Sequence, residues 1–201
     1  MIKLIIGLSN YGLLYNNNRH NIGAKFICTL AKYNNLIFKK DIKLFSYISE
    51  FKIDNYSVYL LLPMTYINMN GKSLFAVANF YNIKINEILI IHDELDLPLG
   101  KIRFKQKINN TSHNGVKNIV LTFNNNNLYR IKIGIGHPGN KNKVVNFLLS
   151  DMSIRELKII KYTFNSIIKN IRYVIYLDEY NISKFIFQHN KLIQLTKGNI
   201  N

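Results

Sequence analysis

The sequence predicts a single α/β domain, a mixed twisted sheet with helices on both faces and a C-terminal amphipathic helix. Three observations carry that prediction. The runs Ile2 to Leu8, apolar apart from Lys3, and Ile88-Leu89-Ile90-Ile91 read as strands buried on both faces. Segments with apolar residues spaced three to four apart alternate with such runs, as crossover helices do. The chain has 201 residues, 48% of them hydrophobic, enough for one core, and no Pro/Ser-rich linker or internal repeat divides it. The domain is placed at residues 1–190, with 191–201 as a C-terminal tail.

The first strand breaks at Ser9-Asn10-Tyr11-Gly12, a loop signal. A helix from Asn21 to Tyr33 would turn Ile22, Phe26, Leu30 and Ala31 inward. Strands over 45–53 and 57–62 flank Asp54-Asn55-Tyr56 and read as a hairpin. Residues 71–81 read as a helix burying Leu74, Val77, Ala78 and Tyr81. Residues 87–92 form a second buried strand ending in His92-Asp93-Glu94. Strands at 101–106 and 129–136 follow, with a helix between them starting at His113 or Asn114. Ile154, Leu157, Ile160, Phe164, Ile167, Ile171, Val174 and Ile175 keep helical spacing, so the last long element is an amphipathic helix. Asn124 to Asn127 form a solvated low-complexity tip.

Composition narrows the functional classes. One cysteine, Cys28, excludes an intrachain disulfide and suits a reducing compartment. No uncharged apolar run reaches the ~18 residues of a membrane span, and the apolar start is too short for a signal peptide. A soluble cytoplasmic domain without membrane association is expected. The formal charge is +16, from 27 Lys+Arg against 11 Asp+Glu, which suits a polyanionic partner. The chain also holds 30 Asn, 32 Ile and 22 Lys, residues of A/T-rich codons, so codon drift explains part of that total. Drift explains the distribution less well. Residues 97–150 hold no acid and nine bases: Lys101, Arg103, Lys105, Lys107, Lys117, Arg130, Lys132, Lys141 and Lys143. Lys101, Arg103, Lys105 and Lys107 recur every second residue and would share one face of an extended strand.

Polar groups gather where the apolar strands end, the place where open α/β sheets bind ligands. They are Asn10, Arg19-His20-Asn21, Asn68, His92-Asp93 and His113-Asn114-Gly115. A neutral histidine is the natural general base near neutral pH, and a carboxylate on its second nitrogen fixes its tautomer. Asp93, at a strand terminus, suits that role for His20. Amides such as Asn10, Asn68 and Asn114 can hold ester or peptide groups without adding charge. No Gly-x-Ser-x-Gly elbow, Walker loop, Cys-x-x-Cys or His-Glu-x-x-His is present. His92, Asp93 and Asp96 form a weak metal alternative because adjacent strand residues point oppositely; no metal and no cofactor are expected.

At these residues the chain resembles the bacterial peptidyl-tRNA hydrolase family, from Met1 to roughly Phe187. Five ordered motifs carry the resemblance. They are Gly7-Leu8-Ser9-Asn10-Tyr11-Gly12 with Tyr15 and Asn18-Arg19-His20-Asn21-Ile22-Gly23, Pro63 to Gly71, the intact His92 to Gly100, the intact His113 to Lys117, and Lys132 to Pro138. The resemblance implies hydrolysis of the ester joining a peptide to the terminal ribose of tRNA, with His20 deprotonating water and Asp93 supporting the imidazolium. It implies that Asn10 contacts the peptide near the ester, that Tyr15, Tyr66, Asn68 and Asn114 line the substrate site, and that Asn114 also helps place water or the oxyanion. The partner is then peptidyl-tRNA, acceptor stem and 3′ end, with Lys101, Arg103, Lys105, Lys117, Lys141 and Lys143 as candidate phosphate contacts. A monomer is the family expectation. A non-catalytic RNA-binding protein on the same scaffold is the alternative. Three departures stand out: Tyr11 replaces the loop proline, Ile67 a methionine, and Lys107 to Ser112 a glycine-rich run, which should loosen the first loop and stiffen or re-route the last.

Overall fold

The computed structural model describes residues 1–198. Seven strands form one sheet: β1 (Leu4–Gly7), β2 (Lys39–Asp41), β3 (Ser46–Ile53), β4 (Tyr56–Pro63), β5 (Ile88–Glu94), β6 (Ile102–Lys105) and β7 (Tyr129–Gly134). The helices are α1 (Ile22–Tyr33), α2 (Asn70–Phe80), α3 (Asn114–Phe123), α4 (Val144–Leu148), α5 (Ile154–Lys169), α6 (Ile171–Tyr176) and α7 (Glu179–Gly198). The strand order is β2-β3-β4-β1-β5-β7-β6. β4, β1, β5 and β7 are parallel neighbours; β3 and β6 run antiparallel to them, and the edge strand β2 pairs antiparallel with β3. The mixed α/β architecture is the one expected.

Alternation along the central strands builds two cores. Ile5, Leu89, Ile91, Ile131 and Ile133 pack against α1, α5, α6 and α7. Leu4, Ile6, Ile88 and Ile90 face α2 and α3 on the other side, joined by Leu74, Val77, Val116 and Ile119. The chain leaves β1 for β4 on one side and returns to β5 on the other. This reversal opens a crevice at the carboxyl ends of β1, β4 and β5.

Two glycines make α1 ride directly on the sheet. A Cβ at Gly7 would lie 2.3 Å from the Gly23 carbonyl oxygen, and one at Gly23 would lie 2.3 Å from the Ile91 oxygen and 2.6 Å from the Leu8 nitrogen. This close approach seats the turn before α1, residues 19–21, over the end of β5.

The helix expected over 154–175 is instead two helices. α5 ends at Asn170 and α6 restarts in phase, then stops at Leu177, which adopts φ +57°. A further helix, α7, follows and crosses residue 190 without a break, so the segment expected as a tail is helical through Gly198; residues 199–201 lie outside the described residues. β2 and α4 are also additional to the sequence reading. The four-base stripe is shorter than expected. Only Arg103 and Lys105 lie within β6, Lys101 precedes it, and Lys107 turns away at φ +62°.

Candidate functional site

The loop after β1 is held by amides. The Asn21 side chain accepts from the Asn10 backbone N–H and donates to the Asn10 carbonyl, both at 2.8 Å. Asn70, fully buried at the start of α2, does the same for Ser9, at 3.0 Å each way. Tyr11, standing where a proline was expected, donates its N–H to the Thr65 carbonyl at 3.2 Å, a bond proline lacks. The expected loosening of this turn is therefore offset. The Asn10 side-chain oxygen accepts from the Ile67 N–H at 2.9 Å. With the oxygen turned to Ile67, the amide NH2, a pure donor, is left for the crevice.

His20 lies in the short turn 19–21, with its side chain 9% exposed. Its Nδ1 meets both oxygens of Asp93, at 2.9 and 3.0 Å. Asp93 is 3% exposed at the end of β5. The carboxylate therefore accepts a hydrogen bond from Nδ1–H, and the Nε2 lone pair becomes the basic position. Burial disfavours the charged ring, but the Asp93 charge and hydrogen bond outweigh it and raise the His20 pKa above the ordinary histidine value. Burial alone would push Asp93 up; the His113 and His20 rings beside it reverse that and hold its carboxyl far below the usual range.

His113, expected as a helix start and among the polar groups at the strand ends, completes the cluster. It is the N-cap of α3, its Nδ1 accepting from the Val116 N–H at 3.3 Å. That bond assigns the proton to Nε2, which donates to Asp93 Oδ1 at 2.9 Å. His92, 1% exposed, donates Nδ1–H to the Asp93 carbonyl at 2.6 Å, and its burial drives the pKa well down, so it stays neutral. The sequence signal for His113 was its place directly before Asn114, but the shared carboxylate 20 residues away is a tertiary fact.

Asn10, His20, Tyr66, Asn68 and Asn114 line one groove of about 340 Å³, whose opposite wall is Val145, Leu148 and Leu149 at α4. Asn68 and Asn114 are exposed at the starts of α2 and α3. Tyr15 stands behind the lining, edge-on to Tyr66 at 6.2 Å. Lys117 is exposed on α3, and Lys141 and Lys143 are exposed just before α4. Arg103 lies across from Lys132, which lies across from His92. Two strand spacings, roughly 10 Å, therefore separate the backbones of Arg103 and His92. Lys101 is half-buried and reaches Gln194, Lys105 is exposed, and Arg130 is buried at 3% exposure. The rewritten loop is anchored by Ile108, buried in the second core, whose N–H donates to the Asn126 carbonyl at 2.8 Å.

A family model described as peptidyl-tRNA hydrolase matches residues 4–192. The chain belongs to the peptidyl-tRNA hydrolase family. Its relatives include the peptidyl-tRNA hydrolases of Proteus mirabilis, 47% identical, and Salmonella typhimurium, 44% identical, each over 160 residues, 79% of this chain and 82% of the relative. The crystal structure of peptidyl-tRNA hydrolase from Acinetobacter baumannii superposes with a TM-score of 0.84 at 34% identity, covering 94% of each chain.

Within this peptidyl-tRNA hydrolase fold, His20, Asp93 and His113 each offer a ligand atom, all within 4.8 Å of one another. They fit a metal poorly. The Val116 bond leaves His113 Nε2 protonated, with no lone pair to offer. Of His92, Asp93 and Asp96, the set considered from sequence, only Asp93 belongs to this cluster among the described residues.

Proposed function

We propose that the chain hydrolyses the ester between a peptide, or an N-blocked aminoacyl group, and the 3′-terminal ribose of tRNA, returning tRNA from prematurely released peptidyl-tRNA. His20 Nε2 takes a proton from water as the water attacks the ester carbonyl. Asp93 holds the Nδ1–H tautomer and stabilises the imidazolium, and His113 holds Asp93. General-base assistance of this kind contributes about 10²–10⁴-fold. The rest comes from orientation and from amide donors facing the developing oxyanion, for which Asn68 and Asn114 are placed on the groove.

Asn10 gives the selectivity. Its oxygen is turned to the Ile67 N–H, which leaves the NH2 donors to the groove. A peptide carbonyl is an acceptor and pairs with it; the ammonium of a free aminoacyl ester is a donor and does not. Arg103, Lys105, Lys117, Lys141 and Lys143 meet acceptor-stem phosphates, with Lys101 at their margin. The enzyme acts as a cytoplasmic monomer. Among the described residues no helix is long and apolar enough to cross a membrane.

One observation carries the reading: a histidine oriented by a buried carboxylate at a groove whose other polar lining is uncharged, the amides of Asn10, Asn68 and Asn114 and the Tyr66 phenol. The test is His20→Ala, assayed by release of N-acetylated amino acid from tRNA, with the unacetylated ester as control. A folded variant should lose most turnover; parental turnover would remove His20 as the base. Retained tRNA binding without hydrolysis by the parent protein would favour the binding-only alternative.

A further inference from the structure

The residue beside the base has a large interior network of its own. Arg19 is 7% exposed. Its Nη1 and Nη2 donate to the two carboxylate oxygens of Glu156 at 2.7 and 3.0 Å, a bidentate pair. Its Nε donates to Ser150 Oγ at 3.3 Å and Nη2 also reaches the Asp151 carbonyl at 3.4 Å. The guanidinium lies 4.4 Å from the centroid of the Phe147 ring. Its backbone N–H donates to the Ser150 carbonyl at 3.1 Å, and Asn18 bridges to Asp151.

These partners all belong to one stretch, from α4 to the start of α5. α4 has five residues and no fully buried one; Phe147 and Leu148 are only partly buried where they pack on the first core, so helix length and core packing hold it weakly. Phe147 lies on Arg19, while Val145 and Leu148 wall the groove. Glu156 adds a second anchor. It closes the capping box of α5 by accepting from the Ser153 N–H at 2.7 Å, so one carboxylate ties the helix start to Arg19.

We propose that Arg19 is a positioning residue that clamps the α4 wall of the groove against the turn carrying His20, and thereby sets how tightly substrate is held. The proposal rests on the groove being the substrate site. Among the described residues Arg19 has no hydrogen bond or ring contact with the His20 ring and does not line the groove, so its contribution is made through Phe147, Ser150 and Glu156.

The experiment compares Arg19→Gln, Glu156→Gln and the double variant, which leaves no unpaired buried charge. Each is assayed for KM and kcat on N-acetyl-aminoacyl-tRNA, for the acidic midpoint of kcat, and for amide hydrogen exchange over 144–150. The expected result is KM raised about tenfold, kcat within about threefold, an unmoved midpoint and faster exchange in α4, with the double variant no worse than Arg19→Gln. Unchanged KM would overturn the proposal, and so would a kcat loss above about tenfold with a moved midpoint, which would mean that Arg19 acts on His20 itself. If the ion-pair variants fail to fold, Phe147→Ala decides: KM must rise, and parental KM refutes the clamp. The groove reading fails separately, through full activity of His20→Ala.

Discussion

Asp93→Asn is the substitution whose outcome follows most directly from the geometry. The carboxylate accepts three contacts, from His20 Nδ1 at 2.9 and 3.0 Å and from His113 Nε2 at 2.9 Å. An asparagine keeps one oxygen and puts an NH2 donor in place of the other. His113 Nε2 must stay a donor, because its Nδ1 accepts from Val116, so the remaining oxygen goes to His113. The NH2 then takes the Oδ2 position, 3.0 Å from His20 Nδ1 and donor against donor, and the shared Oδ1 is left with two competing donors. The ring escapes by moving its proton to Nε2, which turns the groove-facing nitrogen from a base into a donor. The loss should be the whole general-base contribution, about 10²–10⁴-fold, or roughly 3–5 kcal/mol of transition-state stabilisation. The sign of the pH effect is fixed too. In the parent protein, Asp93 outweighs burial and raises the His20 pKa, so turnover falls as the pH drops through that raised value. Without the carboxylate, burial alone remains and the acidic limb should move to lower pH. The assay is release of N-acetylated amino acid from tRNA across the acid and neutral range, with circular dichroism to confirm the fold. Turnover within about threefold of the parent, with an unmoved limb, would refute the His20–Asp93 pairing as the source of the base.

The neighbouring residues make predictions of different sign and kind. His113→Ala removes one donor from Asp93 and leaves its charge more available to His20, so the acidic limb should move to higher pH, opposite to Asp93→Asn; a shift in the same direction for both would count against this arrangement. Asn10→Asp replaces the free NH2 donor by an acceptor and should erode discrimination between N-acetylated and free aminoacyl-tRNA, read as the ratio of the two kcat/KM values; an unchanged ratio would take Asn10 out of selectivity. Gly23→Ala drives a Cβ to 2.3 Å from a backbone oxygen, and should lower stability by about 1–3 kcal/mol in a denaturant titration, whereas an unchanged midpoint would show that α1 can lift off the sheet freely. Affinity for tRNA should fall with salt, with a log–log slope close to the number of phosphates neutralised, and Lys141→Gln should flatten it; a flat parental response would leave the basic block without a partner.

How much of this was legible in the sequence depended on whether the information was local. β1, the β3–β4 hairpin, β5 and α1 to α3 announce themselves through period and turn chemistry, because their burial is one- or two-sided and uninterrupted. β2 is three partly exposed or exposed residues with no alternation to read, and α4 has no buried residue to give it a face. The α5–α6 break hid because Asn170 interrupts the helix without disturbing the apolar phase: Ile160, Phe164, Ile167, Ile171, Val174 and Ile175 are all buried across it. α7 hid for the opposite reason. Tyr180, Phe187 and Leu195 are exposed alongside buried Ile182, Phe185 and Ile193, which blurs its period.

The site divides in the same way. His20 and Asp93 were nameable because few side-chain types can act as a base or orient one, and both stand where strands or crossovers end. His113, Asn21, Asn70 and Arg19 were not assigned roles, because each acts by completing the hydrogen bonds of another segment: His113 those of Asp93, Asn21 those of Asn10, Asn70 those of Ser9, and Arg19 those of Glu156. A short list of reactive groups thus implies a longer list of groups that hold them. The second list is where this chain tolerates its departures. The turn that lost proline gains the Tyr11–Thr65 bond, and the loop that lost glycines gains the buried Ile108 with the Lys107 carbonyl accepting from Arg130. Each of these contacts fixes its loop by a different bond, so the side chains that line the groove keep their placement although neither loop has the proline or the glycines.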